Sequence, residues 1–220
     1  MDFLATFFDN YGMLLAQGTW DTLLMTIVST FFAYVIGIPL GVLCVLTSPK
    51  GLMPHRIFNM VLGWIINIGR SIPFIILLVA LIPFTRFIVG TSLGVPGAIV
   101  PLVISAAPFI ARMVEQSIEE VDGGLVEAAQ SFGANTWQIV YKVFLREALP
   151  SLVRGFAIVF ITILGYSAMA GCVGAGGLGD IAIRYQRYQD DVMIATVIIL
   201  IVIVQIVQSA CNFAARKMEH

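Results

Sequence analysis

The sequence predicts an all-α, polytopic membrane protein with about five transmembrane helices. Composition is the first reason. Hydrophobic residues make up 59% of the 220 residues and charged residues 11%, against about 25% charged in an average soluble domain. At a mean hydropathy of +0.97, too little polar surface remains to cover one soluble core. Distribution is the second reason. Charge is gathered into short segments between apolar runs of spanning length. The third is the polar segment 113–150, which carries its own helical pattern between apolar spans. The whole chain, 1–220, is expected to form one transmembrane domain, with spans at about 20–47, 57–84, 92–112, 153–174 and 192–215.

Residues 1–19 mix Phe3, Leu4, Phe7 and Phe8 with Asp2, Asp9 and Asn10, the composition of an interfacial helix. No Lys or Arg precedes Lys50, so the basic flank of a cleaved signal peptide is missing and the first apolar segment is expected to stay as a span. That span contains Gly37, Pro39 and Gly41, residues tolerated in lipid and suited to close helix packing. The second span is long and interrupted by Arg70. A helix that enters from the interface would let Arg70 snorkel to the headgroups, and Pro73 should kink or restart it. Gly90, Gly94, Pro96 and Gly97 mark a loop before an irregular third span punctuated by Pro101 and Pro108. The fourth span is rich in small residues. A polar loop, Asp180 to Asp191, separates it from the fifth, which is the most uniformly apolar.

An odd number of spans puts the termini on opposite sides, and the Lys/Arg bias selects the orientation. Lys50, Arg56, Arg70, Arg112, Lys142, Arg146, Arg154, Arg216 and Lys217 fall on one side; Arg86, Arg184 and Arg187 fall on the other. The richer side is cytoplasmic, so the N-terminus is expected outside, with the C-terminus and residues 113–150 inside.

Several function classes are disfavoured. A net charge of −1 and a pI near 6.1 lack the basic face of a nucleic-acid binder. Cys44, Cys172 and Cys211 are an odd number, two of them in apolar runs, and read as small hydrophobes rather than a disulfide framework. His55 and His220 are isolated, no His/Cys/carboxylate group has metal spacing, and no nucleophile–base pair suggests an enzyme. Asp21 at the edge of the first aside, the expected spans hold no Asp or Glu, where a proton- or sodium-driven carrier would bury its coupling carboxylate. Gly174-Ala175-Gly176-Gly177-Leu178-Gly179 matches G-x-G-x-x-G, but it follows an apolar span rather than a strand in a βαβ unit. Backbone freedom at a helix break is the better reading. No G-x-x-x-x-G-K-[ST] loop is present, so any ATP-derived energy must come from a partner.

The polar segment has readable local chemistry. Asp122 before Gly123-Gly124 is a candidate helix N-cap. Leu125, Ala128, Ala129 and Phe132 follow at helical spacing and form one apolar stripe, with Glu127 on the other face. Gly133 is placed to end the helix in the left-handed conformation. Asn135 and Gln138 have capping-box spacing for a second helix through Trp137, Ile139, Val140, Val143 and Phe144. Spacing alone fits either a connector lying on the membrane or a surface against which another protein packs.

Glu127-Ala128-Ala129, three residues, Gly133, and a hydrophobic-Leu pair further on resemble the EAA loop of bacterial ABC-importer permeases. In that family the loop closes in Leu-Pro; Leu145-Arg146 stands here instead, with Pro150 downstream. Gly18-Thr19-Trp20-Asp21-Thr22-Leu23, Arg70-Ser71-Ile72-Pro73-Phe74, Ile82-Pro83-Phe84-Thr85-Arg86 and Ala107-Pro108-Phe109-Ile110-Ala111-Arg112-Met113 resemble the methionine-type subfamily, as does Gly165 to Gly171. The resemblance implies a type I importer permease fold. It implies a coupling helix carrying Glu127, Ala128, Ala129 and Gly133, seated on an ATP-hydrolysing subunit. It also implies two such ATPases, which would bind the ATP and Mg, a second copy of the permease and an external substrate-binding lipoprotein. This chain would carry no cofactor and catalyse no covalent step. The implied cargo is methionine, L- and also D-; another amino acid or an osmoprotectant would use the same machine, and a channel or carrier outside the family is the remaining alternative.

Tyr166, Ser167 and Met169 lie among Gly165, Ala168, Ala170 and Gly171. In a symmetric dimer these small residues would let two copies of the helix approach, and Met169 would close the pathway on the axis because methionine fills irregular gaps and moves aside. The competing reading is a lipid- or core-facing methionine. Asp180, Arg184, Arg187, Asp190 and Asp191 would form an outer rim that docks a binding protein, or an interfacial belt anchored by Tyr185 and Tyr188.

Overall fold

The computed structural model describes residues 2–218; His220 lies outside them. All regular structure among those residues is helical: α1 (Asp2–Thr47), α2 (Arg56–Ser71), α3 (Phe74–Ala80), α4 (Ile82–Val89), α5 (Gly94–Glu119), α6 (Gly123–Ser131), α7 (Thr136–Ile139), a π-helical stretch (Val140–Phe144), α8 (Leu145–Glu147), α9 (Leu149–Gly171), α10 (Gly177–Tyr185) and α11 (Asp190–Met218). Four stretches are long and apolar enough to cross a membrane: Thr6–Thr47, Gly94–Glu119, Leu149–Gly171 and Asp190–Lys217. Arg56–Ser71 and Phe74–Ala80, joined at a bend, make a fifth if they act as one broken span. The break falls at Ile72–Pro73, where Ile72 is extended and Pro73 opens the next helix. A proline has no N–H to donate and disfavours helical geometry in the residue before it.

Two helices outrun the expected spans. Residues 2–19 form no separate element; α1 is unbroken over 46 residues, about 70 Å at 1.5 Å per residue. Its only proline is Pro39, and the polar side chains Thr19, Thr22, Thr26 and Thr30 return their hydroxyl protons to carbonyls four residues back. Such back-bonding satisfies a hydroxyl inside an apolar helix at little cost to the backbone ladder. Helix α5 continues past Arg112 to Glu119, supported by an Arg112–Glu115 ion pair of 2.7 Å across one turn. The carboxylates Glu115 and Glu119 lie in that extension.

The chain forms two compact units. One comprises Met1–Phe31, Pro73–Ile104 and Phe160–Gln208. Its core packs Leu15 of α1 against Leu178 and Ile181 of α10 and Val192 of α11, flanked by Phe7, Tyr11 and Tyr185. Here α1 caps α10 in trans. The N-cap residue Gly176 has no side chain to offer, and the Leu178 N–H donates instead to Thr22 Oγ1 at 2.8 Å. The same hydroxyl donates to the Gly18 carbonyl. Gly177 is required twice over: its φ is +78°, and a Cβ would stand 2.6 Å from Thr22 Oγ1. A Cβ on Gly179 would run into the Ala168 carbonyl oxygen, so α9 and α10 touch backbone to backbone.

The second unit comprises Phe32–Ile72, Ser105–Val159 and Ser209–His220. Gly37 and Gly41 of α1 lie against α5; an added Cβ would come within 2.6 Å of Ile110 Cγ2 and 2.5 Å of the Ala111 carbonyl oxygen. Gly69 of α2 faces Pro108, and Gly155 of α9 faces Met113, in the same way. Small residues four apart let helices approach where no water drives them together. Asn59 of α2 donates to the Cys44 carbonyl at 2.7 Å and to Thr47 Oγ1, fixing the start of α2 to the end of α1.

Replacing Thr22 by Val keeps the volume but leaves the buried Leu178 N–H unsatisfied, a loss of about 1–3 kcal/mol. The expected result is a lower melting temperature in detergent for Thr22→Val and near-native melting for Thr22→Ser. Equal melting of wild type and Thr22→Val would remove the in-trans cap from the account of stability.

Candidate functional site

The segment that joins α5 to α9 is built as a corner. Asp122 caps α6 by accepting from the Gly124 N–H at 2.8 Å. At the other end, Gly133 has φ +76°. Its N–H donates to the Gln130 carbonyl at 2.9 Å, and the Ala134 N–H donates to Ala129 at 3.0 Å. These two bonds close the helix in a Schellman motif. Asn135 and Gln138 then form a complete capping box at the head of α7, each side chain accepting from the other's backbone N–H at 2.9 Å.

Helix α6 buries no residue. Leu125, Ala128 and Phe132 of the predicted stripe stand exposed, Phe132 by 92%, so this part of the stripe is uncovered. Glu127 is exposed, Ala129 half-buried. Beyond the corner, Ile139, Val140 and Phe144 turn inward while Trp137 and Tyr141, one turn apart, stay exposed. Three aromatic rings thus face outward on this segment. The sequence reading singled out Phe132 and Trp137 but not Tyr141; its spacing of four from Trp137 is the signal that marks it. Nor did periodicity reveal the π-helical stretch, with its extra residue per turn.

The three residues predicted for the pathway are placed differently from one another. Tyr166 stacks flat on Phe74, ring centres 4.6 Å apart and planes within 4°. Ser167 is buried, its hydroxyl donating to the Leu164 carbonyl at 2.7 Å. Met169 is 47% exposed. Gly165 and Cys172, at helical spacing on either side of it, are exposed as well, and nothing lies within 4 Å of a Cβ built on Gly165. The glycine run after α9 uses permissive backbone: Gly174, Gly176 and Gly177 all have positive φ, and the Gly174 carbonyl accepts from the Gly94 N–H at 2.9 Å. Further on, Asp180 and Arg184 form an ion pair along α10 at 2.6 Å.

Residues 33–220 match the family described as binding-protein-dependent transport system inner membrane component. The chain belongs to that family. Membership makes it a membrane subunit of a transport system rather than an enzyme in its own right. A probable D-methionine transport system permease protein of Vibrio cholerae is 48% identical, with 99% of this chain and 97% of that protein aligned. The D-methionine transport system permease protein of Escherichia coli K12 is 56% identical over 72% of this chain and 73% of its own length. Among solved structures, a chain of the MetNI methionine ABC transporter in an inward-facing conformation superposes with a TM-score of 0.93 at 50% identity, covering 95% of this chain and 98% of that one. An amino acid ABC transporter solved with histidines shares the fold at a TM-score of 0.78 and 21% identity. The α6–α7 corner, the π-helical stretch and α9 all fall within the matched family region.

Gly133 is needed for its dihedral angle alone, since no atom lies within 4 Å of a Cβ there. Gly133→Val would place a β-branched residue in left-handed geometry, a penalty of about 1–2 kcal/mol. The expected result is amide exchange at Ala134 faster by about tenfold, measured by hydrogen–deuterium exchange. Unchanged exchange would mean that the corner tolerates side chains.

Proposed function

We propose that this chain is the membrane-spanning permease of an ATP-driven importer that carries methionine, in its L- and D-forms, across the cytoplasmic membrane. The observation that carries the reading is the uncovered aromatic corner, Phe132, Trp137 and Tyr141 around Gly133, held rigid by its own caps in a chain whose relatives are named methionine permeases. Rings exposed among polar groups suit a protein partner that receives them. In this reading α6, with Glu127, Ala128 and Ala129, sits in a cleft of an ATPase subunit, which binds the ATP and Mg. Two ATPases and two copies of the permease make the complex, and an external lipoprotein delivers the solute to the rim around Asp180 and Arg184. The Lys/Arg bias places the N-terminus outside and the C-terminus with the corner in the cytoplasm. ATP-driven closure of the ATPases moves the corner, and α9 passes the motion to the gate.

Met169 is the gate. Its half-exposed side chain, flanked by Gly165 and Cys172, leaves the face of α9 open to a second copy on a twofold axis. Tyr166 holds the outer part of the helix through Phe74, and Ser167 is structural.

The test is uptake of labelled methionine into cells expressing this chain with its ATPase and binding protein. ATP-dependent uptake displaced by L- and D-methionine, and by no other amino acid, is expected. Uptake unaffected by ATP depletion would overturn the permease reading, and ATP-dependent uptake of a different solute would overturn the cargo. Met169→Ala should raise solute leak through the resting complex reconstituted in vesicles; unchanged leak would exclude Met169 as the gate.

A further inference from the structure

In the second unit, a cavity of about 310 Å³ lies between the end of α2, the last turns of α5 and the first turns of α9. That volume is at the lower end of small-molecule pockets, about 300–1,000 Å³. Three of the chain's twelve Lys and Arg residues line it: Arg70, Arg112 and Arg154. Arg70 lies 6.0 Å from the centre of the Phe109 ring. Arg112 gives one N–H to Glu115 at 2.7 Å and keeps further donors of its fork for another acceptor. Gln116 of α5 and Glu120, the residue that follows the helix, form an amide and carboxylate side. Phe109, Met113 and Ile158 supply an apolar wall. The two hydroxyls at the cavity, Ser117 and Ser151, hydrogen-bond to each other at 3.0 Å.

A cavity with guanidinium groups, a carboxylate and a thioether–aromatic wall is the complement of one chemical class. We propose that it binds a zwitterionic amino acid with an apolar side chain, and that it is a site for the transported solute on its way out of the permease. Guanidinium forks take the carboxylate, Glu120 with Gln116 takes the ammonium group, and Met113 with Phe109 receives the side chain, a thioether included. An inorganic phosphate or a purely anionic lipid headgroup, which wants donors alone, is opposed by Glu120. Helical spacing ties the site to the pathway: Ile158 precedes Gly165 by seven residues and Met169 by eleven, so all three fall on one face of α9. The assignment rests on the reading of the chain as a methionine permease.

The test uses the assembled complex with its ATPase, free of nucleotide, and a diazirine analogue of methionine as the probe. Photolysis should label peptides of α5 and α9 that line the cavity, and unlabelled methionine should displace the label. Arg154→Gln and Glu120→Gln should each cut labelling about tenfold, the worth of one charged hydrogen bond, and Arg154→Lys should restore part of it. Labelling elsewhere, or labelling unchanged in both variants, in a wild-type complex that imports methionine with ATP, would overturn this inference and leave the permease reading intact. Absence of that import in wild type would overturn both. Phospholipid that co-purifies with wild type, is lost in Arg154→Gln and is found by mass spectrometry where no methionine label appears would overturn it in favour of a lipid anion. If Arg154→Gln does not assemble, Glu120→Gln decides by itself.

Discussion

In lipid a backbone N–H or C=O has no water to turn to, and every one left open costs several kcal/mol. Much of this structure follows from that constraint. The spanning elements are helices, which close their own ladders, and the threonines of α1 fold their hydroxyls back onto the same ladder. The sensitive places are helix ends. Where α10 begins among glycines, the missing cap comes from Thr22, a residue whose sequence distance from Leu178 is 156 positions. The glycines at that start are therefore a consequence of satisfaction as much as of flexibility: they bring the chain close enough for a borrowed hydroxyl to reach the first turn.

What was legible in the sequence was local chemistry. Asp122, Gly133 and the Asn135–Gln138 pair act within a few residues of themselves, so their geometry could be read before any packing was known, and they stand as read. Gly37 and Gly41 were readable as a place of close approach, though not that α5 would be the neighbour. The unbroken course of α1 was hidden because its first residues look mixed in composition, while the hydroxyls that let the helix continue are satisfied four residues away. The π-helical stretch was hidden for another reason: one extra residue in a turn leaves an apolar pattern that still looks helical. The stacking of Tyr166 on Phe74, and the gathering of Arg70, Arg112 and Arg154 around one cavity, depend on tertiary placement and have no signature in spacing.

Exposed apolar surface carries two meanings in this molecule. In the most apolar stretch of α11 only 11% of residues are buried, and the exposed ones are branched aliphatics such as Ile194, Ile198, Ile201 and Ile206. Such a surface suits acyl chains, which reward no particular shape. The corner is different. Its exposed groups are rings, one each at Phe132, Trp137 and Tyr141, set among Gln130, Ser131, Asn135 and Gln138. Exposed rings also stand on the apolar helices, at Phe31, Trp64 and Phe213, so the corner is set apart by the polar groups around its rings.

The corner also shows a division of labour between atoms. Its shape is held by backbone amides, two short side chains and a glycine, all of them bonded to one another and none of them to the outward rings. Side chains on the outer surface can therefore be exchanged without loosening the bend: stiffness is written in the main chain and its caps, and the outer face is left to vary.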